Sequence, residues 1–257
     1  IEPGANIAKD VRIGPFSYIG SEVTLESGVQ IKSHAVVTGK TKIGQETVIY
    51  PFAVVGEIPQ DLKFNGEKTC LSIGKRNQIR EHVTINTGTD GGGGITKIGN
   101  NNLFMVYCHV AHDCNVSNNI VLANSVQVGG HVIIQDNAII GGSCAIHQYS
   151  RIGESSMVGG MTGVLSDVIP FGLSLGNRNN LVGLNLIGLR RAKVSNENIK
   201  LIQQAYNIIF KSDVYNDSKS VGNTFLNTIF ISIILSFLLI HSTHCCWNYC
   251  RRILLSI

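Results

Sequence analysis

Charge is scarce in this sequence. Asp, Glu, Lys and Arg together make up 15% of its 257 residues, against roughly 25% in an ordinary globular chain. Basic residues form no run longer than Arg190-Arg191 or Arg251-Arg252, and the formal net charge is only +4. A nucleic-acid partner, which needs clustered Lys and Arg on one face, is therefore excluded. Proline is rare at 5 residues, and tryptophan occurs once. The seven cysteines (Cys70, Cys108, Cys114, Cys144, Cys245, Cys246 and Cys250) lack the spaced framework of a disulfide-stapled secreted domain. No signal peptide opens the chain, so a reducing cytoplasm is the expected compartment. The first residue, Ile1, is already in phase with the pattern described next, and a few residues are expected to precede it.

What the sequence has in abundance is glycine, 28 residues, and a period of six. From Ile1, every sixth residue through Ile7, Ile13, Ile19 and on to Val55 is aliphatic. The series resumes over Ile73, Ile79 and Ile85, then runs from Ile98 through Phe104 and Val110 to Val164. All twenty-five positions are apolar in a chain that is 44% hydrophobic, which chance does not produce. Four residues on, the position is small or β-branched: Ala35, Thr41, Ala53, Cys108, Cys114, Ala138, Cys144. A helix would show a period of about 3.6 and a simple strand about 2, and neither is present. Short strands joined by sharp corners fit instead, three hexads to a triangular coil, with residues roughly 18 apart stacking on one another. The fold class is mainly β: a left-handed parallel β-helix over residues 1–170. Cys108, Cys114 and Cys144 fall in the small inward slot, where a thiol packs as a compact hydrophobe. Glycine often follows the aliphatic residue (Gly14, Gly44, Gly74, Gly99, Gly141) and is expected to relieve a positive φ at the corner.

Two segments interrupt the repeat, near 56–72 and 86–97; the second is the glycine-rich NTGTDGGGGITK. Both are expected to be loops projecting from the prism, where a regular solenoid mounts its binding groups. After Pro170 the repeat stops, and residues 171–212 are expected to hold a connecting segment and an α-helix. Ser195 followed by NENIKLIQQAYNIIFK reads as an N-capped amphipathic helix with Ile199, Ile202, Tyr206 and Ile209 on one side, able to cover the open end of a solenoid. Residues 213–257 form an atypical apolar tail. Ser220 to Cys250 contains no Asp, Glu, Lys or Arg, and Phe225 to Ile240 is a borderline length for crossing a membrane, which takes about 20 residues. A membrane helix with bilayer contact, a helix buried in an oligomer and an aberrant tail all remain open. His241, His244, Cys245, Cys246 and Cys250 match no zinc spacing.

Polar chemistry inside the repeat is concentrated in CHVAHDC, Cys108 to Cys114, which holds His109, His112 and Asp113. His131 in GGHV and His147 in AIHQ follow at 19 and 35 residues from His112, each one residue off a multiple of the coil. The three imidazoles are therefore expected along one edge of the prism.

These segments, with QDLKFNGE (Gln60 to Glu67), IREHVTIN and GLNLIGLRR, resemble the UDP-N-acetylglucosamine O-acyltransferase family, which opens lipid A synthesis. The resemblance runs from Ile1 to about Phe210. It implies transfer of a 3-hydroxyacyl chain from acyl-carrier protein to the 3-hydroxyl of UDP-N-acetylglucosamine, in a homotrimer, with no cofactor and no metal. It further implies His112 as general base, Asp113 as its orienting carboxylate and Gly130 as the backbone N–H facing the oxyanion. Asp61, Lys63, His109, His131, His147, Gln148, Asn185 and Arg191 are implied as sugar and nucleotide contacts. Gly160 is implied as the position that sets acyl length, open for a long chain. An acidic carrier protein would meet Arg178, Arg190, Arg191 and Lys193. Ile187 departs from the family pattern, standing where many members carry a carboxylate, and Ala192 stands where a second basic residue often follows; both bear on nucleotide affinity. Competing readings are another hexapeptide acyl- or acetyltransferase, a zinc γ-carbonic anhydrase built on three histidines, and a non-catalytic scaffold.

Overall fold

A computed structural model describes residues Ile1 to Phe210; the expectations for the tail, including its histidines and cysteines, lie outside the described residues. The chain winds through three parallel faces in turn, which we call first, second and third, beginning with Asn6–Ile7, Arg12–Ile13 and Tyr18–Ile19. Each face collects one short strand per coil, giving sheets of eight, ten and eight strands. The register is that of an 18-residue coil, as in His109 against Gln127 and Lys97 against Asn115. The result is a left-handed parallel β-helix. Inside it run the periodic aliphatics: from Ile19 to Val164 all are buried, whereas Ile1, Ile7 and Ile13 of the first coil are not. Cys108, Cys114 and Cys144 are buried and free, and burial pushes the Cys108 and Cys114 thiols up to about 11 and about 12, which keeps them inert as nucleophiles.

The corner glycines have a different physical cause from the one their spacing suggests. None of Gly14, Gly44, Gly74, Gly99 and Gly141 has a positive φ. Each instead lies against the next coil, so that a Cβ on Gly14 would fall 2.6 Å from the Ser33 amide, and the others crowd their neighbours similarly. The left-handed conformation belongs to the residue two places further on and is carried mostly by non-glycine residues, among them His34, His82, Asp113, His131 and Tyr149. A polar or aromatic side chain at each corner is thereby turned outward along an edge.

The excursions are also shorter than the interrupted repeat implies. Cys70–Ile73 and Ile95–Ile98 are strands of the first face, Cys70 pairing with Lys40 and with Ile95, so the loops span only the residues between Glu57 and Cys70 and between Asn86 and Ile95. Beyond Pro170 lies a hairpin with no six-residue signature, Gly172–Leu175 against Asn180–Leu184; it extends the second face through Leu173 beside Met157. A short helix, Leu186–Arg191, follows. The helix Asn196–Phe210 forms part of a separate unit. It begins as expected, with the Ser195 hydroxyl accepting from the Asn198 N–H at 3.2 Å. Among the described residues no helix is long and apolar enough to cross a membrane.

Candidate active site

Both loops leave the prism at one edge. The chain departs from the third face after Glu57 and again after Asn86, and rejoins the first face at Cys70 and at Ile95. His112 and Asp113 turn the same third–first edge on the next coil, Gly130 and His131 on the one after, and His147, Gln148 and Tyr149 on the one after that. The two loops are tied together at their roots. Asn86 Nδ2 donates to the carbonyls of Glu57 (3.3 Å) and Ile58 (3.0 Å), and the Thr69 hydroxyl donates to that of Thr87 at 3.2 Å.

The spacing of 19 rather than 18 between His112 and His131 has a structural consequence. His131 falls over Asp113 and donates its N–H to the His112 carbonyl at 3.0 Å, while Gly130 falls over His112. The two imidazoles consequently meet edge to face, centroids 5.0 Å apart, and His131 stacks in turn on Tyr149 at 4.4 Å. A side chain at Gly130 would force the His112 ring to move: a Cβ there would lie 2.7 Å from its Cε1 and Nε2.

Asp113 is the best-held group of the site. Its side chain is fully buried, and its carboxylate accepts from the Thr89 N–H (2.8 Å), the Thr89 hydroxyl (2.6 Å) and His112 Nδ1 (2.8 Å). Its own N–H donates to Thr96 Oγ1 at 2.8 Å. The glycine-rich loop is the means of this enclosure. A Cβ on Gly88 would stand 2.8 Å from Oδ1, and one on Gly92 would overlap the carboxylate outright. A buried carboxylate already served by two Thr89 donors takes a third contact only from another donor. We therefore assign the His112 hydrogen to Nδ1, which leaves the lone pair on Nε2; this ring retains 13% exposure.

Beside this dyad, burial favours the neutral form of two imidazoles, His109 and His131. Burial pushes His109 below the ordinary histidine value, with His112 a lesser cause, and Thr84 Oγ1 holds its Nδ1 at 2.7 Å. Burial also lowers His131, opposed by the Asp113 carboxylate, with smaller influences from His112, Asp61 and Lys63. Asp61 and Lys63 thus act on the same edge although they sit in the first loop, where Asp61 Oδ1 accepts from the Lys63 N–H at 3.0 Å. His147 and Gln148 are exposed, His147 Nδ1 lying 3.0 Å from the Gln148 carbonyl.

The remaining expected residues lie elsewhere in the prism. Gly160 turns the second–third edge, where a Cβ would sit 3.3 Å from the Gly142 carbonyl. Asn185 caps the short helix, accepting from the Gly188 N–H at 3.0 Å, and donates to the Ser155 carbonyl at the first–second edge, also at 3.0 Å. Arg191 ends that helix. Among the described residues, the group whose donor atoms converge within 4.8 Å is His112, Asp113 and His131; His147 lies outside it. Thr89 and Tyr149 escaped the sequence reading. The loop that carries Thr89 was visible as a glycine run, but its reach to Asp113, 24 residues later, was not.

Comparison with known proteins identifies the family. A family profile described as bacterial transferase hexapeptide (six repeats) matches residues 4–39. Another, described as UDP N-acetylglucosamine O-acyltransferase, domain 2, matches residues 167–239, extending beyond Phe210 into the apolar tail. The acyl-[acyl-carrier-protein]–UDP-N-acetylglucosamine O-acyltransferase of Rhizobium johnstonii is 47% identical over 211 residues, 82% of this chain and 78% of the relative. Its counterpart in Agrobacterium fabrum is 44% identical over 213 residues, 83% and 79% of the two chains. The solved structure of LpxA from Acinetobacter baumannii superposes with a TM-score of 0.81 at 47% identity, covering 82% of each chain. By sequence and by fold, the chain belongs to the UDP-N-acetylglucosamine O-acyltransferase family.

Proposed function

We propose that this chain transfers a (3R)-3-hydroxyacyl group from acyl-carrier protein to the 3-hydroxyl of UDP-N-acetylglucosamine, the opening step of lipid A synthesis, with His112 as general base. The observation that carries this reading is the His112–Asp113 pair, 2.8 Å apart, with Nδ1 committed to a buried carboxylate and Nε2 free of protein partners among the described residues. Nε2 takes the proton of the sugar hydroxyl as that oxygen attacks the thioester carbonyl. Negative charge gathers on the carbonyl oxygen, where the Gly130 N–H, unused by the coil's own hydrogen bonds, is available to receive it. Collapse breaks the C–S bond, and the imidazolium returns its proton to the departing carrier thiolate. The Asp113 carboxylate, held by Thr89, steadies the transient imidazolium.

Asp61 and Lys63 in the first loop, His109 on the neighbouring strand, and His131, His147 and Gln148 on the same edge are suited to sugar hydroxyls and the diphosphate. Gly160 and the Asn185 side chain lie at other edges of the same prism, and Arg191 ends the short helix that Asn185 caps. One copy therefore does not gather all the expected contacts around His112, which supports a homotrimer whose clefts combine edges of neighbouring copies. Arg178, Arg190, Arg191 and Lys193 offer an acidic carrier protein its complement. The free cysteines accord with a cytoplasmic setting.

An acyl-transfer assay offering UDP-N-acetylglucosamine with 3-hydroxyacyl carrier proteins of several chain lengths tests the reading, and no transfer at any length would sink it. Run in parallel, Gly160→Met should move the preference to shorter chains, because its φ is ordinary and the new side chain must pass the Gly142 carbonyl. An unchanged length profile removes Gly160 from that role.

A further inference from the structure

The Asp113 carboxylate has a second neighbour beyond His112. His131 Nε2 lies 3.9 Å from Asp113 Oδ2, the oxygen that also meets His112 Nδ1 at 2.8 Å, and the three donor atoms fall within 4.8 Å of one another. We propose that His112, Asp113 and His131 form an inhibitory site for a divalent transition-metal ion of the zinc type. Bonds of about 2.0–2.2 Å from zinc to imidazole nitrogen and carboxylate oxygen place tetrahedral ligands roughly 3.3–3.5 Å apart. The observed separations bracket that range, so small side-chain rotations close the site, with water as fourth ligand.

Two features of the surroundings favour occupancy. The Thr89 hydroxyl and N–H fix the carboxylate from behind, as outer-shell donors do at metal sites. His112 and His131 keep 13% and 20% of their side-chain surface exposed, which gives an ion a way in. Two imidazoles and one carboxylate select zinc, cobalt or nickel over magnesium and calcium, which prefer oxygen ligands.

The consequence follows from the tautomer. Metal on Nδ1 displaces the hydrogen that His112 gives to Asp113, and the neutral ring then carries its one hydrogen on Nε2, exchanged through solvent. The nitrogen that faces substrate changes from acceptor to donor, and transfer stops. The loss of activity rests on His112 acting as base; the metal binding does not.

The test uses the full chain, stripped with chelator and titrated with Co2+. One visible absorption band per chain is expected, with Mg2+ giving no competition and Zn2+ complete competition. His131→Gln should abolish the band, and His131→Cys should restore it with an added near-ultraviolet sulfur-to-cobalt transition. Thr89→Val should weaken binding on the order of tenfold. Cys245→Ser with Cys246→Ser should leave the band in place, separating this site from the tail. Unfolding midpoints close to the parent show that each variant is folded. A band indifferent to His131→Gln, or no band in the parent, overturns the proposal. Cobalt binding at these residues without loss of transfer would overturn the inhibitory role, and with it His112 as the base.

Discussion

Two edges of the prism carry histidines in the same backbone conformation and use them differently. On the second–third edge, Phe16, His34, Phe52, His82 and Tyr107 form a continuous ladder of rings, one per coil, with centroids 5.0, 5.2, 5.1 and 4.7 Å apart. On the third–first edge stand Asp113, His131 and Tyr149. His34, His82 and His131 share a φ near 60° and the same place in their hexads. The ladder histidines have rings above and below, and the carboxylate beside them, Glu81 next to His82, is paired with Arg80 rather than bonded to the imidazole. His131 stacks on Tyr149 on one side; on the other it meets the edge of the His112 imidazole and a buried carboxylate, closed in by loops that leave the prism at that edge. Residue type and backbone geometry therefore do not make a site here. The neighbours do, and the loops choose the edge.

Four measurements would break or sharpen that contrast. The largest effect is expected from His112→Ala, which should cut turnover by roughly two to four powers of ten while the unfolding midpoint holds; activity retained in this variant removes the distinction between the edges. Gly130→Ala comes next. Its φ is ordinary, so the backbone accepts alanine, but the methyl group meets the His112 ring and displaces it. A displacement on that scale should lower kcat by about 100-fold, and a parent-like kcat would show the ring has room to spare.

His82→Ala tests the other edge. It removes stacking on Phe52 and Tyr107, worth about 0.5–1.5 kcal/mol per pair, so the chain should unfold a few degrees earlier with kcat within twofold of the parent. A large kcat loss would mean the ladder is part of the site. The smallest effect is on the pH dependence of stability. Burial disfavours the His109 cation, so below the unfolded histidine value near 6.5 the unfolded chain binds more protons than the folded one. Stability should fall as pH drops through that value and level off below the folded one. His109→Gln should flatten the slope, and an identical slope in both proteins would show that His109 is not its source.

Much of this was legible in the residues. The six-residue run of aliphatics dictated the coil, because only a stacked triangular prism buries a side chain at every sixth position. CHVAHDC stood out since a solenoid has little structural use for a histidine beside an aspartate. The corner glycines were visible, but their cause was not: whether a missing Cβ serves φ or clearance from the next coil depends on a neighbour 18 or more residues away, such as Ser33 over Gly14. The hairpin after Pro170 left no trace in the period, because its strands pair with each other and with Met157 rather than with another hexad.

The sequence alone determined the coil, its core and the approximate level of each histidine, since these follow from a spacing counted along the chain. Tertiary structure alone decided that both loops leave at the edge where the spacing had put His112, His131 and His147, that Thr89 closes over Asp113, and that Gly160 and the Asn185 side chain lie at other edges. Those relations depend on which corner an insertion interrupts and on how far its backbone reaches once closed, and a linear period carries neither quantity.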